Sequence, residues 1–263
     1  MMTMVRVIDV CSGKGGVGKT VVASNLGMAM QKLGKKVVVI DFNFTTSHLS
    51  LCFNSYSHPI TINSVLRGEA KMEDAVYTHS SGLKVVLGSL KLEDIVNTDT
   101  TNLKGMIAQA FSDYDFVLLD SAPGLGKEAM IALDACDEIL YVVNPSIPSV
   151  IDVAKCNQVV SMKNNAKAIG VLVNRVRNKS YEIKNEEITQ FTNLPVIGSI
   201  PEDERVLEST NKETLVTLCE KNSPASKALF GIAAKISGVE YKKPGLLHNL
   251  IKILGGNKDE KKQ

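Results

Sequence analysis

The chain has 263 residues, 44% of them hydrophobic, with 30 basic against 28 acidic side chains and a formal net charge of +2. That length supports one large domain with a substantial core, or two small ones, and the near-balance of charge does not indicate a body that holds nucleic acid by broad electrostatics. No apolar run reaches the roughly 18 residues needed to cross a bilayer, and the N-terminus lacks a charged n-region and a cleavage site, so a cytosolic protein is expected.

In chain order, Arg6–Cys11 reads as a buried strand: Val7, Ile8 and Val10, then a turn of small residues. Thr20–Leu33 reads as a helix, with Val22, Leu26, Ala29, Met30 and Leu33 at near-helical spacing and Gly34 as its stop. Between them lies Gly13-Lys14-Gly15-Gly16-Val17-Gly18-Lys19-Thr20. It fits G-x-x-x-x-G-K-[ST], in the strand–loop–helix context that pattern requires. The glycines let backbone N–H groups converge on phosphate oxygens. Lys19 is placed for the β- and γ-phosphates and the Thr20 hydroxyl for Mg²⁺, and the helix adds the positive end of its dipole.

With its early lysine, Lys14 to Thr20 resembles the deviant phosphate-binding loop of the MinD/ParA family of ATPases. The resemblance implies that Lys14 reaches the nucleotide of a partner subunit, so that an ATP-dependent homodimer is expected. Cofactor contacts are then assigned to Gly13, Lys14, Gly15, Gly16, Val17, Gly18, Lys19 and Thr20.

The strand expected at Lys36–Ile40 ends in Asp41-Phe42-Asn43-Phe44-Thr45-Thr46, similar to the first switch of that family. Asp41 is expected beside the Mg²⁺ shell. The resemblance gives the residue at Asn43 the attacking water, but the family pattern there is aspartate. Asparagine is no general base, although its carbonyl can still orient water. Slow hydrolysis and a long-lived ATP state are therefore expected. Further strands are expected at Leu83–Leu87 and Phe116–Leu119, the latter closing on Asp120 as a second metal-site carboxylate. Ser121 to Gly126 is similar to the second switch. Lys14, Lys19, Asn43 and Asp120 form the expected catalytic set, and Thr20, Asp41 and Asp120 the metal set.

Strands are also expected at Glu138–Val143, Ala168–Val173 and Val196–Ser199, and helices at Leu103–Phe111, Lys127–Ala135, Ser149–Met162 and Ala225–Ile236. Val-, Ile- and Leu-rich strands alternating with helices predict an α/β fold: a doubly wound, mainly parallel sheet with helices on both faces. Its ligand is expected beyond the carboxyl ends of the strands. Asn174 follows one such strand, and an amide can bond both N6 and N7 of adenine. By resemblance Asn174 and Arg175 contact the base from one side, while the loop containing Pro201 and Asp203 closes the other.

Cys11, Cys52, Cys136, Cys156 and Cys219 include no Cys-x-x-Cys pair, which argues against a disulfide framework, structural zinc or an iron–sulfur carrier; core or semi-buried thiols are expected. Six basic and two acidic residues fall in 241–263, so 1–240 carries a net −2. Residues 1–240 are read as the ATPase domain and 241–263 as a tail. At 100° per residue, Leu246, Leu247, Leu250, Ile251, Ile253 and Leu254 fill one arc of a short amphipathic helix. Such a helix either binds a membrane surface or packs on protein; its basic flank and its similarity to the MinD tail favour the membrane. The expected protein is a MinD-like ATPase, peripheral on the inner membrane face, that positions division or other polar machinery through an unidentified protein partner. A DNA-partitioning ATPase of the ParA type and a flagellar assembly regulator are the alternatives; nucleic acid is not expected as a partner.

Overall fold

The computed structural model describes residues 4–91, 99–163 and 166–241. The strands are β1 (Arg6–Cys11), β2 (Val37–Phe42), β3 (Val76–Thr78), β4 (Lys84–Val86), β5 (Phe116–Ser121), β6 (Glu138–Val143), β7 (Lys167–Val176) and β8 (Val196–Pro201). They form one sheet in the order β3-β4-β2-β5-β1-β6-β7-β8. Among the described residues the β3–β4 pair is antiparallel and the other pairings are parallel. The helices are α1 (Lys19–Lys32), α2 (Ile62–Leu66), α3 (Leu103–Ala110), α4 (Lys127–Ala135), α5 (Ile147–Lys163), α6 (Asn185–Thr192), α7 (Glu204–Asn211), α8 (Val216–Cys219) and α9 (Pro224–Ser237).

Every residue of β2 and β5 is buried, because helices cover both faces of the sheet. Val7, Ile40, Val117, Leu119 and Tyr141 face one core with Ile107, Leu133, Val150 and Val153 from α3, α4 and α5. Ile8, Val10, Val39, Leu118 and Leu140 face the other, against Leu26 and Met30 of α1 and Leu229 and Ala233 of α9. Burying Leu26 alone contributes about 1.5–3 kcal/mol.

The expected fold class holds, with three differences of detail. First, β2 and β5 run past the apolar stretches that announced them. Their ladder continues through Asp41↔Asp120 and Phe42↔Ser121, so both carboxylates lie inside strands and not in the loops after them. Second, β3, α2, α6, α7 and α8 were not anticipated. α7 buries only Ser209, and α6 only Ile188 and Thr192, too narrow a stripe to give a helical period. Third, Cys11, Cys52, Cys136 and Cys156 are buried as expected, but Cys219 is exposed. Its thiol donates to the Leu215 carbonyl at 3.3 Å, a turn-local contact that needs no core.

α9 is fastened at both ends. Ser223 caps its start, where the Ala225 N–H also donates to Asp203 Oδ2 at 3.1 Å. At its far end Arg6 Nη1 donates to the Ile236 carbonyl at 2.9 Å, while Arg6 pairs with Glu138 at 2.6 Å. Tyr241, the last described residue, stacks on Phe230 with ring centroids 5.6 Å apart. The tail residues Leu246, Leu247, Leu250, Ile251 and Leu254 lie outside the described residues.

Candidate functional site

The loop Gly13–Thr20 follows β1 and opens α1, as its sequence requires. Two close approaches explain two of its four glycines. A Cβ on Gly13 would sit 2.4 Å from the Asp152 Cβ and 2.5 Å from the Asp152 backbone carbon, so the loop rests directly on α5. Gly18 has φ +92°, and a Cβ there would meet Asn174 Nδ2 at 2.6 Å. The left-handed φ and the crowding both demand glycine. The Gly124 N–H donates to the Ser12 carbonyl at 2.8 Å, tying the second switch loop to the first residue of the turn.

Gly18 caps α1 without a side-chain hydrogen bond, and no acidic residue occupies the first turn. The free N–H groups and positive dipole end are therefore available to an anion. Lys19 is 8% exposed, in the first turn of that helix. Lys14 is half-buried. No ion pair among the described residues involves either lysine.

Asp41 and Asp120 stand side by side in register on β2 and β5. Asp41 accepts from the Ser47 hydroxyl at 2.5 Å, the Asn43 N–H at 3.0 Å and the Leu49 N–H at 3.3 Å. Burial still pushes its carboxyl up to about 6. Asp120 Oδ1 is buried with no hydrogen-bond partner. Burial, then the negative charge of Asp41, push Asp120 up to about 7, against the Thr20 hydroxyl and the Lys19 ammonium. Two buried acids facing each other, one with an orphaned oxygen, are a poor arrangement for a protein alone and a good one for a hard cation. Among the described residues no group of three or more His, Cys, Asp and Glu side chains could hold a metal by itself. Thr20, Asp41 and Asp120 thus fit Mg²⁺, which keeps waters and takes phosphate oxygens alongside one or two carboxylates.

Asn43 lies just past β2. Its Oδ1 accepts from the Thr46 hydroxyl at 3.0 Å, and the neighbouring Thr45 hydroxyl donates to Glu128 in the first turn of α4. On the other flank, Asn174 Nδ2 donates to the Val17 carbonyl at 2.8 Å. One amide donor is therefore engaged with the phosphate loop itself. Arg175 is exposed at φ +61°, forming an irregularity in β7 that sets Val176 opposite Pro201. This brings Asn174, Arg175 and Pro201 to one corner of the sheet. Asp203 is next to that corner, but its carboxylate is occupied: Oδ1 caps α7 through the Arg205 N–H at 3.1 Å, and Oδ2 accepts from Ala225.

Sequence reasoning missed Asp9. It lies in β1 with both carboxylate oxygens buried and unpartnered. Burial pushes it up to about 7, opposed by nearby Ser121 and Lys19. The Ser121 hydroxyl is itself directed to the Val10 carbonyl at 3.2 Å, so it lies close to Asp9 without being its partner. A carboxylate in the middle of an apolar strand was the visible signal. Thr45, Thr46 and Glu128 gave none.

A parallel sheet with a glycine loop, an uncapped helix start and paired carboxylates at its carboxyl edge defines a P-loop nucleotide-binding protein. The family profile described as the CobQ/CobB/MinD/ParA nucleotide binding domain matches residues 8–216, and the chain belongs to that family of ATPases. An uncharacterized ATP-binding protein of Methanocaldococcus jannaschii is 34% identical over 98% of this chain and 100% of its own length. The septum site-determining protein MinD of Pyrococcus horikoshii, solved with Mg-ADP, superposes with a TM-score of 0.84 at 31% identity, covering 89% of this chain and 96% of that one. MinD in the Aquifex aeolicus MinC:MinD complex gives 0.81 at 29% identity, over 90% and 98%.

Proposed function

We propose that this chain is a MinD-like, Mg-ATP-dependent switch that dimerises with ATP, hydrolyses it slowly and binds a membrane surface in the ATP state. The observation that carries the nucleotide reading is the orphaned, buried Asp120 Oδ1 beside Asp41, next to a loop whose helix start has free N–H groups. The backbone from Gly13 to Gly18 and the Lys19 ammonium would hold the phosphates. Thr20, Asp41 and Asp120 would hold Mg²⁺, which when bound neutralises charge on the phosphoryl oxygens. The reaction is phosphoryl transfer to water, with the Asn43 carbonyl orienting the nucleophile. Asn174, Arg175 and Pro201 would bound adenine. Asp203 would shape that loop through its two backbone bonds.

A second copy of the chain is the occupant proposed for the open side of the loop. Leu125, Ile147 and Ile151 are 39%, 56% and 37% exposed, and all lie on segments touching the loop through Gly124 and Asp152. Lys14 would cross there. Two tails on one dimer bind a surface together, and such avidity adds roughly 10²–10⁴. No helix among the described residues is long and apolar enough to cross a membrane; the membrane contact proposed is that of the tail. Residues 1–240 are proposed as the ATPase domain and 241–263 as the tail. MinC in the Aquifex complex is the type of protein partner such a switch recruits.

Sedimentation with anionic liposomes tests this reading. Full-length protein should pellet with ATP and stay in solution with ADP, and protein ending at residue 240 should stay in solution with both. Equal pelleting in ATP and ADP would remove the coupling. Salt-sensitive, ATP-dependent DNA binding would replace it with the partitioning alternative.

A further inference from the structure

The edge of the sheet where the parallel strands begin, opposite the nucleotide edge, carries a cluster of lysines. Lys36 precedes β2 and Lys84 opens β4, and those strands are neighbours. Lys35 lies at the end of α1, its N–H bonded to the Met30 carbonyl at 3.1 Å. Lys36 pairs with Asp113 at 3.2 Å, both side chains exposed, and such a pair holds weakly. Lys84 Nζ donates to the Thr78 hydroxyl at 2.5 Å, which leaves its charge uncompensated. No ion pair among the described residues involves Lys35 or Lys84. The three lysines line a cavity of about 460 Å³ together with Gln31, Asp113 and Tyr114, inside the roughly 300–1,000 Å³ of small-ligand clefts. Gln31 Nε2 donates to the Ser81 carbonyl at 3.3 Å, while its Oε1 is buried with no partner. The cavity thus offers ammonium groups for an anion and an acceptor that lacks a donor. A phosphate that carries hydroxyl groups satisfies both.

We propose that this edge is a headgroup-binding surface that meets an anionic lipid bilayer beside the tail. This rests on the membrane reading above and deepens it: it names the face of the body turned to the lipid. A chain of bonds joins the cluster to the end of α9. The Ile236 carbonyl accepts from Arg6 Nη1 at 2.9 Å. The Arg6 N–H donates to the Asp115 carbonyl at 3.1 Å, and the Asp115 N–H to the Lys36 carbonyl at 2.9 Å. The Lys36 N–H returns to Asp115 Oδ2 at 2.8 Å. Tyr241 is stacked on Phe230, which lies about 9 Å along the helix from Ile236. The chain from Tyr241 to Gly245 spans up to about 14 Å, so the apolar arc of the tail and the lysines can lie on one surface. Lysines at a bilayer gain from its negative surface potential. The adjoining tail, apolar on one arc, decides between a bilayer and duplex DNA, since only the bilayer takes both.

The test sediments full-length protein, with ATP, on phosphatidylglycerol-containing and on phosphatidylcholine vesicles. On the anionic vesicles Lys35→Gln and Lys84→Gln should each weaken partitioning about fivefold, the worth of one lysine near such a surface. Lys35→Arg and Lys84→Arg keep the charge and should stay within about twofold of the parent. Lys179→Gln, which removes the same charge from the nucleotide edge, should do likewise. On phosphatidylcholine every variant should match the parent. Independently of vesicles and ATP, dihexanoyl phosphatidylglycerol below its micelle concentration should shift the Gln31 side-chain NH₂ resonances of nucleotide-free protein. Inorganic phosphate at the same concentration should not. Unchanged partitioning in both Gln variants, an equal loss in Lys179→Gln, or no shift with the short-chain lipid overturns the proposal. Equal shifts with inorganic phosphate would replace it with a soluble-anion site, and duplex DNA binding lost in the same Gln variants would replace it with a nucleic-acid face. Failure of the parent to pellet with ATP overturns the membrane reading instead, and leaves the resonance test to decide the headgroup site.

Discussion

The phosphate loop and the segment Asn43–Thr46 flank the same carboxylate pair, yet they are built on different principles. The loop is fixed by contact: Gly13 against the backbone of α5, Gly18 against Asn174, Gly124 bonded to Ser12. The switch segment is fixed by exposed hydroxyls on Thr45 and Thr46. Contacts between close-packed atoms leave no alternative arrangement. Solvated hydrogen bonds are each worth only about 0.5–1.5 kcal/mol and can be exchanged for water or phosphate. A site that must grip one ligand and report on its state needs one part of each kind.

The rigid half has an internal fault, and this gives the largest expected effect. Asp9 has a folded value near 7 against an ordinary 3.8, so the folded protein keeps a proton that the unfolded chain releases. Its cost is nil below about pH 4, grows as pH rises toward 7 and levels off above that, reaching on the order of 4 kcal/mol. Asp9→Asn removes this slope. Chemical denaturation of nucleotide-free protein at pH 5 and pH 8 should show the variant gaining on the parent as pH rises; parallel behaviour would mean that Asp9 is solvated or paired. Asp41 and Asp120 are also raised; the Asp9 charge is one of the causes that raise Asp120, so its removal relieves Asp120 in the same direction.

Next in size is Gly13→Ala. The added carbon meets backbone as well as side-chain atoms, so loop and α5 must separate. A loss of about 3 kcal/mol in unfolding free energy is expected, with loss of ATP-analogue binding. A variant that retains both would show the contact to be soft and the comparison false. The smallest effect belongs to Thr45→Val, which should leave stability within about 0.5 kcal/mol. Its signature should be kinetic: nucleotide-dependent protection of the switch segment in hydrogen exchange, similar to the parent's in ATP but reduced without nucleotide.

The same division explains what the sequence disclosed. Glycines forced by steric contact, and acids at the ends of Val- and Leu-rich runs, can be read because each residue type answers to its own backbone. The strand limits at Asp41 and Asp120 were set by pairing between β2 and β5, which no local pattern records. Asp203 was read as part of an adenine loop, while its carboxylate caps one helix and fastens another. Asp9 was plain as a letter, but its isolation depends on neighbours from other strands. The Thr46–Asn43 bond leaves no periodicity and buries nothing, so no sequence signal could announce it.

α9 runs from the Asp203 corner, beside the nucleotide edge, to the Arg6 clamp at the opposite edge of the sheet. Its 14 residues make a rod about 20 Å long. Tyr241 is stacked back on Phe230, near the middle of that rod, so the tail of the proposed reading starts from a fixed mooring. On the proposed reading, the tail answers to the nucleotide through the dimer and not through the loop itself. What it can register is company: whether a second mooring, of equal rigidity, has come to lie beside its own.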